Sequence, residues 1–141
     1  MPRISLLNMI IGFSLIFIAA SGGAFIALDT NYRFLEGNPV PAWREVLQTS
    51  SHGHTSLFGM IHILLGLTLP YSKLHLRLKI FQTIGIGAGS LALGPMMLIR
   101  ASSGPSSEFQ VSGLMIGLML SLALASICIH VYGLTLSLLK R

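Results

Sequence analysis

Charge is what this sequence lacks most. Of its 141 residues, 9 are Lys or Arg and 4 are Asp or Glu, which makes 9% charged, where soluble domains carry about 25%. With 52% apolar residues and a mean hydropathy of +0.78, the chain has too little polar surface to coat a water-facing domain. An integral membrane protein is therefore expected. Cysteine is nearly absent too. The single Cys128 sits in an apolar run, so one chain can build neither a disulfide framework nor a thiolate metal site. The net charge of +5 comes from residues that flank apolar segments. They form no basic stripe with interleaved aromatics, so nucleic acid is not an expected partner.

Three uncharged runs, Ile4 to Leu28, Ile80 to Ile99 and Phe109 to Leu139, have about the 20 residues that a helix needs to cross the hydrocarbon. A fourth, Thr55 to Pro70, is shorter, but His52 to Ser72 carries no formal charge and reads as a span with a polar first turn. The expected architecture is an all-α integral membrane four-helix bundle. Its helices cover about 4–28, 52–71, 79–100 and 109–139, with an outer loop over 29–51. The first run is too long for the apolar stretch of a signal peptide and is expected to stay as a span. Arg3, Lys73, Arg77, Lys79, Lys140 and Arg141 fall on one side, and all four acidic residues fall on the other. Short cytoplasmic loops retain Lys and Arg, so both termini are expected in the cytoplasm of a multi-pass inner-membrane protein.

Gly37 to Pro41 should turn and then extend, and the outer loop is expected to fold back as a lid, with Tyr32, Phe34 and Trp43 at the headgroups. Ser102 to Ser107 read as a short outer turn. Two small-residue stripes, Ala19, Gly23 and Ala27 on the first span and Gly85 and Gly89 on the third, are expected helix contacts, the second available to a homodimer. Pro95 should kink the third span.

Five histidines against four carboxylates ask for an explanation, because polar groups inside a membrane are expensive. His52 and His54 open the second span and point about 200° apart at ~100° per residue, so one helix cannot chelate one metal with both. His62 lies about 15 Å deeper at ~1.5 Å per residue. Counted from the cytoplasmic ends, His62 and His130 match in depth within roughly one turn and form a candidate axial pair, whereas counted from the outer ends they differ by about 10 Å. His75, in the cytoplasmic turn, reads as a solvated residue. Haem suits these residues better than zinc, because no cysteine or buried carboxylate completes a tetrahedral site. Arg33, Arg44 and Arg100 are candidate propionate partners or lipid-phosphate anchors.

The segment Ser51-His52-Gly53-His54-Thr55-Ser56-Leu57-Phe58-Gly59-Met60, followed by Leu65-Gly66-Leu67-Thr68-Leu69-Pro70-Tyr71, resembles the paired-histidine helix of haem-copper oxidase subunit I. The nitric oxide reductase and C-type oxidase branches are the nearest in pattern, together with short four-helix membrane proteins carrying such a helix second. The resemblance covers about twenty residues. It implies a high-spin haem on His52 and a low-spin haem on His54. The chain departs from the large enzymes in having no copper-site histidine pair, so it is not expected to act as an enzyme by itself. Two functions follow as expectations. One is a small membrane protein binding haem, or another metal cofactor, through His52, His54, His62 and His130 for electron transfer or sensing. The other is a cofactor-free accessory or assembly subunit of a larger respiratory membrane complex, its histidines tying helices together. A proton or solute pathway is a third reading, without the embedded carboxylate that such pathways use.

Overall fold

The computed structural model describes residues 1–105 and 111–139. Glu108, Phe109, Lys140, Arg141 and the Ser106–Ser107 half of the expected outer turn lie outside the described residues. Apart from short connections, the described residues are helical: α1 (Arg3–Leu35), α2 (Ala42–Thr68) with a 3-10 turn at Leu69–Tyr71, α3 (Leu76–Leu93), α4 (Pro95–Ser103) and α5 (Val111–Leu139).

The 29–51 loop is replaced by two helix ends and a six-residue connection, which removes the lid. α1 runs on to Leu35 because nothing stops it earlier. Asp29 and Arg33 pair at 3.0 Å one turn apart, and the first breaker is Gly37 at φ +70°. There the Gly37 N–H donates to the Phe34 carbonyl and the Asn38 N–H to that of Arg33, a two-bond helix stop that needs a left-handed residue. After the extended Pro39 to Pro41 stretch, the Pro41 carbonyl accepts from the Arg44 and Glu45 N–H groups. α2 therefore begins at Ala42, ten residues before the expected start, with Glu45 placed favourably in its first turn. Trp43, Tyr32 and Phe34 are helical residues here.

α3 and α4 form one span interrupted at Gly94. Pro95 lacks the N–H that would continue the ladder, and Gly94 takes φ −94°, ψ −101°. A Cβ on Gly94 would lie 2.7 Å from both the Ser90 carbonyl and Thr55 Oγ1. The Ser51 hydroxyl donates to the Gly94 carbonyl at 2.8 Å, so the kink is satisfied by α2.

α1, the α3–α4 pair and α5 are each long and apolar enough to cross a membrane. α2 falls short of that class because it carries Gln48, Thr49, Ser50, Ser51, three histidines and further hydroxyls. Its neighbours shelter it. α2 packs on α1, α3 and α4, while α5 packs on α3 and shares little with α1. The spans form an open row with α1 and α5 at its flanks rather than a closed bundle.

The pattern of burial is inverted relative to a water-soluble protein. Asn8, His62, Gln82, Ser51, Ser90 and Ser126 are buried, whereas Phe13, Phe17, Phe25, Leu64, Ile84 and Leu118 are exposed. Apolar flanks of that size fit lipid. A small apolar core of Phe58, Leu65, Leu69, Ile86 and Ala123 sits where α2, α3 and α5 meet.

Glycine sets the two tightest seams. A Cβ on Gly12 would lie 2.5 Å from the Gly59 carbonyl, and one on Gly66 would lie 2.7 Å from that of Ser5. Backbone therefore meets backbone between α1 and α2. Gly85 and Gly89 do form a contact stripe, but against Ser126, Ala123 and Phe58 of this same chain. They are not a free surface for a second copy. Of the expected α1 stripe, Ala19 is buried and Gly23 meets His52, while Ala27 is exposed.

Candidate functional site: a histidine tier and a histidine-floored cleft

His62 is fully buried on α2. Its ring geometry follows from a backbone carbonyl on α1. The Asn8 side-chain amide donates through Nδ2 to the Ile4 carbonyl at 2.8 Å and to Thr83 Oγ1 at 2.8 Å. A carbonyl can only accept, so this fixes which end of the amide is nitrogen. Oδ1 is left facing His62 Nδ1 at 2.9 Å. His62 therefore donates through Nδ1 in its neutral form and keeps a lone pair on Nε2, a buried atom without a hydrogen-bond partner among the described residues. Thr83 passes the chain on, donating to the Lys79 carbonyl at 3.1 Å. One imidazole thus ties α2 to α1 and, through Asn8, to α3.

His130, half-buried on α5, is engaged at both ring nitrogens. Nδ1 lies 3.0 Å from Gln82 Oε1, and Nε2 lies 2.8 Å from the Thr68 hydroxyl oxygen. Gln82 and Thr83 are neighbours in α3, so the two deep histidines occupy one level. They do not bond each other. His62 reaches toward α1, and His130 reaches α3 and the end of α2.

At the other end of α2, His52 donates from Nδ1 to the Ala19 carbonyl of α1 at 2.8 Å. Its ring packs against Gly23, where a Cβ would come within 2.5 Å of the ring. The imidazole borders a cleft of about 700 Å³ between α1 and α2, lined also by Ala20, Ala24, Ala27, Asn31, Glu45 and Thr49. His54 turns back on its own helix, its Nδ1 donating to the Ser50 carbonyl at 2.7 Å. His52 and His54 thus serve different surfaces, as their spacing implied. His75 precedes α3 and is exposed.

The arginines do not line the His52 cleft. Arg33 is paired with Asp29. Arg100 lines a separate hollow with Ala42, Trp43, Val46, Leu47 and Pro105, and none of the three arginines borders the His52 cleft. Among the described residues, no group of three or more His, Cys, Asp or Glu stands close enough to hold a metal ion.

A haem held within one chain by His62 and His130 does not fit this arrangement. An axial ligand needs a free lone pair, and both nitrogens of His130 are already bonded. His52, like His62, has its Nδ1 bonded and its Nε2 free, as metal-bound imidazoles require, and of these two only His52 borders the cleft. Its cleft, however, offers a carboxylate where propionates need cations.

Asn8, Thr68, Gln82 and Thr83 are the residues that sequence reasoning passed over. Their signal was present: Asn8 and Gln82 are isolated amides in otherwise apolar runs, and in lipid such a group finds a partner. Neither a protein-family model, nor a curated protein, nor a solved structure matches the chain.

Proposed function

We propose that the chain is a multi-pass inner-membrane protein, crossing four times with both termini in the cytoplasm. In this reading it is a cofactor-free accessory or assembly subunit of a larger respiratory membrane complex. The observation that carries this reading is the use of both deep histidines as interhelical ties, to Asn8 on one side and to Gln82 and Thr68 on the other. The open row supports it, because α1 and α5 present uncovered flanks. On α5, a Cβ added at Gly113 or Gly117 would meet nothing within 4 Å among the described residues, the kind of small-residue face that lets another helix approach. Lys73 between α2 and α3, with Arg77 and Lys79 in the first turn of α3, supports the orientation. The respiratory assignment rests on the resemblance of α2 to oxidase subunit I.

Two measurements test the proposal. In a Cys128→Ser background, Ser103→Cys should react with an impermeant reagent added to intact cells, and Lys73→Cys should not. Lys73 is exposed whereas Ser72 beside it is buried, so Lys73 is the sounder probe. Protein purified from haem-replete cells should be colourless and free of transition metal. The cofactor reading, electron transfer or sensing, is favoured by the free Nε2 of His52. A haem spectrum that His52→Ala or His54→Ala abolishes establishes it, with the second ligand supplied by another chain in a homodimer or larger complex.

A further inference from the structure

The cleft between α1 and α2 is defined by what its two walls carry. The α1 wall is low and apolar over two turns, built from Ala20, Gly23, Ala24 and Ala27 with Ile26 beside them. The α2 wall carries Glu45, Thr49 and His52 at intervals of four and three residues, so all three lie on one stripe of the helix. His52 and Glu45 are roughly 10 Å apart along the axis.

The chemistry of the lining selects a ligand. His52 has spent its Nδ1–H on the Ala19 carbonyl, so what it offers is a lone pair. The carboxylate of Glu45 also only accepts. Asp29 is neutralised by Arg33, while Glu45 has no ion pair among the described residues. In a chain of net charge +5, the one formally charged residue lining this cleft is negative. A ligand that donates and is positive fits; an anion does not. The apolar α1 wall adds that the donor should be carried on an aliphatic chain.

We propose that this cleft binds a primary ammonium group carried on an apolar chain, the head at Glu45 and the chain along the Ala20 to Ala27 wall. The ammonium makes a charge-assisted hydrogen bond to Glu45, and its remaining N–H groups reach Thr49 or Asn31. His52 floors the site and accepts from a water or hydroxyl that accompanies the head. The inference goes beyond the subunit reading, since it needs only α1 and α2 as folded here.

The test uses the full chain in detergent and dodecylamine with a diazirine in its alkyl chain, photolysed and mapped by mass spectrometry. Adducts should fall within 20–34 and 45–52. Glu45→Gln should reduce them about tenfold, the order expected when a charge-assisted bond becomes a neutral one. Ala27→Phe, which fills the wall from an exposed position, should abolish them, and Glu36→Gln should leave them unchanged. Retained helical circular dichroism shows that each variant folds. In nanodiscs, labelling by a diazirine-bearing phosphatidylethanolamine identifies a lipid headgroup as the source of the ammonium. Labelling by the alkylamine alone identifies a free amine. Labelling that is indifferent to Glu45→Gln overturns the proposal, as does equal labelling by the phosphatidylcholine analogue, whose head has no N–H donor.

Discussion

One pair of helices, α1 and α2, is closed along half its length and open along the other half. Small residues line α1 in both halves. In the closed half, Gly12 and the Ser5 to Met9 turn meet Gly59 and Gly66, and the backbones touch. In the open half, Gly23, Ala24 and Ala27 face His52, Thr49 and Glu45, and a cleft remains. A small residue brings helices together only when its counterpart is also small; opposite a long polar side chain it leaves room for that side chain and for something else. This is why a stripe read on one helix alone predicted a contact that the structure divides into a contact and a cavity.

The largest expected effect is at the closed half. Gly12→Leu must displace the Gly59 backbone and the Ile63 side chain, so it should cost about 3 kcal/mol or more in reversible unfolding from mixed micelles. Ala27→Leu, which points into open space, should change stability by less than about 0.5 kcal/mol. Equal costs for the two would erase the distinction between the halves.

The next effect concerns the polar tier. Gln82→Leu should cost about 1–2 kcal/mol, because it strands one nitrogen of His130 in a partly buried setting. His52→Ala should cost less, since its single bond lies beside an open cleft. Thermal unfolding of both variants in one detergent would rank them, and the reverse order would mean that the open half bears more of the stability than its geometry suggests.

Much of the fold is legible in the amino-acid order alone. The apolar runs, the break at Pro95 and the use of Gly85 and Gly89 as a contact stripe all follow from local rules. What escapes such rules is α2 on the N-terminal side of His52. Charged and polar residues at 42–51 resemble a loop, yet Pro41 followed by Ala42, Trp43 and Arg44 is a helix start, and α2 buries Ser51, Thr55 and His62 against its neighbours while Glu45 and Thr49 stay exposed. The level shared by His62 and His130 follows from the count made from the cytoplasmic ends and not from the one made from the outer ends. Their partners are not, because Asn8 and Gln82 come from helices whose rotation about their own axes no periodicity in these uniformly apolar runs reveals.

The central claim is that the deep histidines hold helices together. It is tested most directly by a double-mutant cycle on Asn8→Leu and His62→Leu, measured by reversible unfolding in bicelles. If the bond at 2.9 Å ties α1 to α2, the two substitutions should be non-additive by about 0.6–1.7 kcal/mol, the range found for interhelical hydrogen bonds in membranes. Additivity of the two costs would contradict the account.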